Sequence, residues 1–271
     1  MTMRLTIHHE TRYDYDDSPA YLVQRLHLTP ANHEGQRTVS WSVTAPGIDT
    51  GLAHMDGFGN LTHLVTLRGH RGPLTITAQG EVDTKDTAGV VRGLAGQLPD
   101  VVYRRLTPFT ALSPLLATQA ASYNLRTPPL ELAHKIMGDV HGAVTYDTGS
   151  THAYTTAAEA FADRRGVCQD HAHIMLALAR AIGMPARYVT GYLVTGVGAS
   201  SSAAHAWAEL LIPDLGWVGF DAANGQCPTD HYVRISAGLD AAAVAPVKGF
   251  RRGGWGAEQM TVAVRVEIAQ Q

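Results

Sequence analysis

Three residues of the types that together perform thiol acyl transfer occur in order along this chain. Cys168 lies in Arg165-Gly166-Val167-Cys168-Gln169-Asp170, His205 in Ala204-His205-Ala206-Trp207-Ala208-Glu209, and Asp221 closes Gly216-Trp217-Val218-Gly219-Phe220-Asp221. A thiolate attacks a carbonyl, an imidazole moves the proton, and a carboxylate orients the imidazole. A long apolar-rich run follows Cys168, which places it at the start of a helix. The first N–H groups of a helix have no internal partner, and the macrodipole is positive there; both favour the thiolate. The Cys168 N–H is also a natural donor to an oxyanion. Gln169, Tyr192, Trp207 and Trp217 are the candidates for the oxyanion site and the cleft walls, with the core as the equal alternative for the three aromatics and a solvated first turn for Gln169.

These side chains need elements that carry them to one place. The Cys168 helix is expected to run to about Ile182, where Gly183 and then Pro185 stop it. His205 begins a strand, residues 205–212, and Asp221 ends the next, with Pro213-Asp214-Leu215-Gly216 as the turn. Direct pairing of 205 with 221 would need a turn centred on Pro213, and the apparent turn sits slightly later. A bulge or the sheet twist is therefore expected to absorb the offset. Ala186 to Val194 reads as a further strand, Gly196 to Ala203 as a loop, and the alternation of Val262, Val264, Val266 and Ile268 as a final strand. Upstream, Ser113-Pro114 and Pro128-Pro129 each open a helix, and Thr156-Ala157-Ala158-Glu159 is a capping box for a short third one.

The first eighty-five residues alternate differently. Leu5 and Ile7, then Val39, Trp41 and Val43, then Leu74, Ile76, Ala78 and Val82 recur with period two, as in strands with one buried face. Asp56-Gly57-Phe58-Gly59-Asn60 has the composition of a hairpin loop. The expected organisation is an antiparallel β domain over 1–85, a connector over 86–105 marked by Gly89, Gly93, Gly96 and Pro99, and a mixed α+β catalytic domain over 106–271.

Bulk composition excludes several function classes. The chain has 271 residues, 45% hydrophobic and 17% charged, with a formal net charge of −3. That composition makes a packed core and gives no basic stripe for nucleic acid; Lys248-Gly249-Phe250-Arg251-Arg252 is the densest basic spot, and it is short. No apolar run reaches the ~18 residues of a membrane span, and Met1 to Ile7 reads as a strand rather than a signal peptide. Two cysteines, Cys168 and Cys227, make no disulfide framework, so a reducing, cytoplasmic setting is expected and Cys227 is incidental. Fourteen histidines raise the question of a metal. Cys168 and His171 share a helix face, but His173 points about 140° away from Cys168, and no His-x-x-x-His or Cys-x-x-Cys spacing occurs. Neither metal nor cofactor is expected. His8, His9, His152 and His231 read as surface residues.

With those residues in view, Gly166-Val167-Cys168-Gln169-Asp170, Gly183-Met184-Pro185-Ala186-Arg187-Tyr188-Val189-Thr190-Gly191-Tyr192, and the His205 and Asp221 blocks together resemble the bacterial transglutaminase-like family. The segment Met3 to Tyr15 resembles the β region that precedes the catalytic domain in many of its members. The resemblance implies a papain-like α+β fold, with helices packed on an antiparallel sheet, and a triad of Cys168, His205 and Asp221. It also implies a peptide or protein substrate. The sequence departs from the family where Asp-Pro-Thr is usual, having Asp221-Ala222-Ala223-Asn224, and at His171, where an aromatic residue is usual. The expected reaction is hydrolysis of a peptide or isopeptide bond through a thioester. Glutamine γ-glutamyl transfer (crosslinking or deamidation) is the alternative within the class, and a non-catalytic binding or assembly module on the same fold is the alternative outside it.

Overall fold

Period-two patterning near the start of the chain produces β1 (Thr2–Tyr15), β2 (Tyr21–Leu26), β3 (Gln36–Thr44), β4 (His54–Met55), β5 (Leu61–Arg68) and β6 (Leu74–Lys85). The computed structural model describes residues 2–49, 52–96, 98–194 and 204–269; the loop expected over Gly196 to Ala203 lies outside them. Next come β7 (Val90–Val91), α1 (Asp100–Tyr103), α2 (Pro114–Ala121), α3 (Pro129–Ala143), β8 (Thr145–Tyr146), α4 (Ala157–Asp163), β9 (Arg165–Gly166) and α5 (Cys168–Ala181). Then follow β10 (Ala186–Leu193), β11 (Ala204–Ile212), β12 (Gly216–Phe220), β13 (Tyr232–Gly238), α6 (Ala241–Val244), β14 (Val247–Arg252) and β15 (Glu258–Ile268). The start signals work as expected: Ser113 caps α2 by accepting from Leu116 N–H, and Thr156 and Glu159 form the reciprocal box of α4.

Two sheets, ordered β15-β1-β6-β3 and β14-β2-β5-β4, face each other. Tyr13, Leu74, Ile76 and Ala78 of the first pack on Leu22, Leu26 and Val65 of the second. The third large sheet, β13-β10-β11-β12-β7, carries the helices. Ala206, Ala208, Leu210, Val218 and Phe220 cluster with Ile174, Leu176 and Leu178 of α5 and with Leu132 and Ile136 of α3. α5 is buried without a break from Asp170 to Arg180, so it is the central post of this half rather than a surface helix. This is the mixed α+β architecture expected.

The unit boundaries differ from the expected ones. β14 pairs with β2, and β15 pairs with β1 from Leu5↔Ile268 to Tyr15↔Glu258, so residues 247–268 complete the β sandwich instead of belonging to the helix-backed half. The alternation of Val262 to Ile268 reveals a strand, but nothing local says which sheet it joins. The expected connector is also not plain linker, since Val90 and Val91 pair with Val218 and Trp217 at the edge of the third sheet.

Apolar contact and two side-chain amides join the halves. Leu5, Ile7, Val82, Val264 and Val266 pack on Tyr192, Val233 and Ile235. Gln36 donates to Arg234 O (2.8 Å) and accepts from Arg234 N–H (2.7 Å); Asn60 does the same with Ala237 O (2.7 Å) and N–H (2.8 Å). Residues three apart in a regular strand point their backbone groups to opposite edges. The register shift between Thr190 and Gly191 makes Ile235 the extra residue, which turns both Arg234 and Ala237 outward to these amides. His9, expected on the surface, is instead buried, with Nδ1 2.7 Å from the Tyr192 hydroxyl, and burial lowers its pKa to about 4. It contributes to the same seam.

Candidate active site

The chain just before Cys168 is tied on every side. The Asp170 carboxylate accepts from Val167 N–H (2.8 Å) and from the Thr151 hydroxyl (2.7 Å). Val167 O receives the backbone N–H groups of Asp170 and His171 and lies 2.9 Å from His171 Nδ1. The other ring nitrogen of His171 lies 3.1 Å from Val144 O, so this residue fastens the start of α5 to the end of α3. Gly166 is required here: a Cβ would stand 2.6 Å from that of Asp170. These contacts fix where Cys168, half-buried at the first position of α5, presents its sulfur.

His205 meets Asp221 with Nε2 2.6 Å from Oδ2. The β11–β12 ladder is regular from Ala208↔Phe220 to Ile212↔Gly216, centred on Asp214, whose φ is +65°. His205 thus stands diagonal to Asp221 rather than opposite. Side chains on one face reach across that diagonal, so the offset read from the turn needs no bulge. Asp221 also accepts from the Tyr232 hydroxyl (2.8 Å), Asn224 Nδ2 (2.7 Å) and the N–H groups of Ala223 (3.0 Å) and Asn224 (3.2 Å). Burial alone would raise the Asp221 carboxyl; the hydrogen bonds from His205, Asn224 and Tyr232 and the imidazole charge hold it below the usual range instead. For His205, burial opposes the charged ring, yet the bonds to Asp221 and Cys168 and their negative charges prevail and raise it to about 9. Nε2 is committed to Asp221, which leaves Nδ1 as the ring nitrogen available to another group.

Cys168, Gln169 and His205 share one cleft of about 610 Å³ with Phe109, Tyr154, Tyr188 and Thr190. Gln169 lines this cleft, its Nε2 3.4 Å from Ala153 O. Three aromatic expectations need correction. Tyr192 is buried in the seam against the sandwich and bonded to His9, away from the cleft. Trp217 packs edge-on to Tyr103 (4.8 Å between centroids) and under the Arg187 guanidinium (4.0 Å). Trp207 is no wall either: it is buried, stacked on His205 at 6.3 Å and edge-on to Tyr232 at 5.5 Å, so it confines the imidazole from behind. Residue type marked these aromatics, but strand parity and register decided their faces.

Tyr232 and Asn224 escaped the sequence reading. Asn224, three positions after Asp221 in a tight turn, carried a usable signal; Tyr232, on a different strand, carried none. His173 accepts from Ala241 N–H (3.1 Å) and anchors α6, and burial lowers it to about 4, leaving it neutral at pH 7. Cys227 lies in a separate pocket with Leu130 and His134, and burial raises its thiol pKa.

A titration follows from this geometry. The His205 imidazole signal in nuclear magnetic resonance is expected to titrate near pH 9, because the ring stays charged until its partners can no longer hold the proton. In Asp221→Asn the acceptor charge is gone, and the midpoint moves acidward by more than one pH unit. A wild-type midpoint at the ordinary 6.5 would contradict the placement of these groups.

The arrangement can activate a sulfur, shuttle one proton and donate a helix-start N–H to a developing oxyanion. Comparison with known proteins points the same way. The model of the Transglutaminase-like superfamily matches residues 118–222, and that of the Bacterial transglutaminase-like N-terminal region matches residues 5–83. An uncharacterized protein of Mycobacterium tuberculosis, Rv2569c, is 30% identical over 274 residues, 92% of this chain and 87% of that protein. Another from Mycobacterium leprae, ML0607, is 26% identical over 277 residues, 97% of this chain and 98% of its own. Among solved structures, a candidate cysteine protease from Cytophaga hutchinsonii superposes with a TM-score of 0.75 at 22% identity, over 100% of this chain and 92% of that one.

Proposed function

We propose, from the premise that this chain belongs to the transglutaminase-like superfamily, that Cys168, His205 and Asp221 carry out acyl transfer on an amide bond through a thioester. The observation that carries the reading is the relay itself. Asp221 lies 2.6 Å from Nε2 of His205, which turns Nδ1 to the remaining role, and Cys168, whose N–H opens a helix, lines the same cleft as the ring.

The proton rests on His205, whose ring is charged at neutral pH, and the Cys168 sulfur attacks the carbonyl carbon as the thiolate. The carbonyl oxygen gains charge beside the Cys168 N–H. The C–N bond then breaks as His205 gives the proton to the leaving nitrogen, and a thioester remains. Water entering the cleft is deprotonated by His205 and attacks that thioester, releasing a carboxylic acid and restoring the thiolate. Asp221 keeps the ring in one tautomer throughout, and Trp207 and Tyr232 keep it in one plane. Hydrolysis of a peptide or isopeptide bond is favoured over amine transfer because the cleft beside Cys168 is broad and open, with room for water beside a bound acyl group. The same geometry would hold an amine in place of that water.

Mass spectrometry of peptides incubated with the protein and a primary amine separates the outcomes. Hydrolysis yields two fragments at an amide bond. A mass gain equal to the amine less ammonia means transfer, and conversion of a glutamine to glutamate without cleavage means deamidation. The expected result is cleavage; no product in any channel would support a binding role on the same fold.

A further inference from the structure

We infer that the β sandwich is a specificity wall of this cleft: it selects an acyl donor with small apolar groups beside the scissile carbonyl and a carboxylate that pairs with Lys248. The inference rests on the acyl-transfer reading and names its substrate class.

The cleft has two sides of different origin. One is α6 with the turn after it, which supplies Ala241, Ala242 and Val244. Buried groups anchor that side: His173 accepts from Ala241 N–H at 3.1 Å, and Arg180 donates to Leu239 O at 2.8 Å. The other side comes from the strands that return to the sandwich. Val247 and Lys248 lie on β14, paired with Leu26 and Arg25 of β2, and Met260 lies on β15, paired with Tyr13 of β1. Residues a few positions apart in sequence at this point thus bind two different halves of the fold around the same cavity.

Chemistry on these walls is lopsided. Apart from His205, Lys248 is the charged side chain among the described residues lining the cleft, and no carboxylate lines it. Alanine, valine and methionine make up most of the rest, which favours small aliphatic groups on the donor and disfavours polar ones that would lose water without gaining a partner. Lys248 Nζ donates to Ala242 O at 3.0 Å, which holds the ammonium at the rim, where sandwich and α6 meet. An ammonium has three N–H donors, so two remain for a ligand. A carboxylate is the complementary group, and at an exposed lysine the preference is about two- to fivefold and falls with salt.

Haloacetyl peptides test this on the intact protein. Bromoacetyl-Ala-Ala with a free carboxylate and its C-terminal amide each alkylate Cys168 with loss of bromide, and mass spectrometry counts the adducts. At low ionic strength the carboxylate form should react about two- to fivefold faster than the amide, and the order should reverse in Lys248→Glu. Replacing the alanines with asparagines in the amide peptide should slow it. Each rate is taken relative to that of bromoacetamide on the same protein, a probe too small to reach the rim, so that any change in the reactivity of the sulfur itself cancels. Equal rates for carboxylate and amide on both proteins would overturn the inference. If bromoacetamide itself fails to prefer Cys168 over Cys227, the acyl-transfer reading fails instead, and the two failures are told apart.

Discussion

Cys168→Ala abolishes amide cleavage, lowering kcat by about 10⁴-fold or more, and His205→Ala does nearly as much alone. The covalent step needs both the sulfur and the ring, so the double variant should be scarcely worse than either single one. Neither change should unfold the protein. Cys168 is half-buried at a helix start whose fastening runs through Val167, Asp170 and His171, none of which touches the sulfur's hydrogen bonds. Without His205, Asp221 still accepts from Tyr232, Asn224 and two backbone N–H groups, so its charge is not stranded. The check is turnover alongside thermal unfolding of the same samples. Turnover surviving in Cys168→Ala would refute the assignment, whereas lost turnover with a lowered Tm would indicate damage to the fold instead. The raised Cys227 thiol makes it a poor substitute nucleophile, so residual alkylation in Cys168→Ala should be slow.

The second large effect concerns stability. Glu209 is fully buried and sits between two nearly buried guanidinium groups: Arg187 Nε at 2.6 Å and Arg234 Nε at 2.9 Å. Burial raises the carboxyl, but the two positive charges and their hydrogen bonds prevail and hold it at about 2. Glu209→Ala strands two guanidinium groups in the interior, at a cost of about 3–5 kcal/mol. Against a typical total of 5–15 kcal/mol, that is a large share, and for a chain of this size it lowers Tm by roughly 10 °C. Glu209→Gln should be nearly as harmful, because the amide keeps the shape but not the charge. Replacing all three residues with apolar ones of similar size should recover most of the loss, which a packing role for the Glu209 side chain alone would not predict. The pH dependence has a definite sign. An unfolded glutamate takes a proton near 4.5 and the folded one only near 2, so this contribution is complete above about 4.5 and is lost as pH falls toward 2. A variant as stable as the parent in a denaturant titration would contradict the account.

Local signals made the Cys168 helix legible: an apolar run after the cysteine, and Gly183 with Pro185 at its end. His205 and Asp221 were legible because each sits at the end of an alternating strand, and only the path between them was misjudged. A bulge or the sheet twist was expected to absorb the offset in β11–β12; the bulge that matters lies in β13, where it turns Arg234 and Ala237 toward Gln36 and Asn60. Those two amides are about 200 positions from the backbone they hold, and no local pattern encodes such a pairing. The same distance hid the partners of β14 and β15. Lys248 to Arg252 reads as a short basic stretch, and only the pairing of Val247 to Arg252 with Tyr21 to Leu26 makes it a strand of the sandwich and a wall of the cleft. Tyr192 and Trp217 were misplaced for a third reason: an aromatic suits a core and a cleft equally, and the face it takes depends on register.

The pairing of Leu5 with Ile268 bears on how the molecule comes into being. β1 leaves the ribosome well before β15, one of its two neighbours, which follows the helices and the third sheet. Until β15 is out, β1 exposes a long bare edge, and the loop to be closed runs from Tyr15 to Glu258. Such distant closure is slow and leaves nascent chains open to mispairing. Completion of the first sheet therefore waits until β15 has been made.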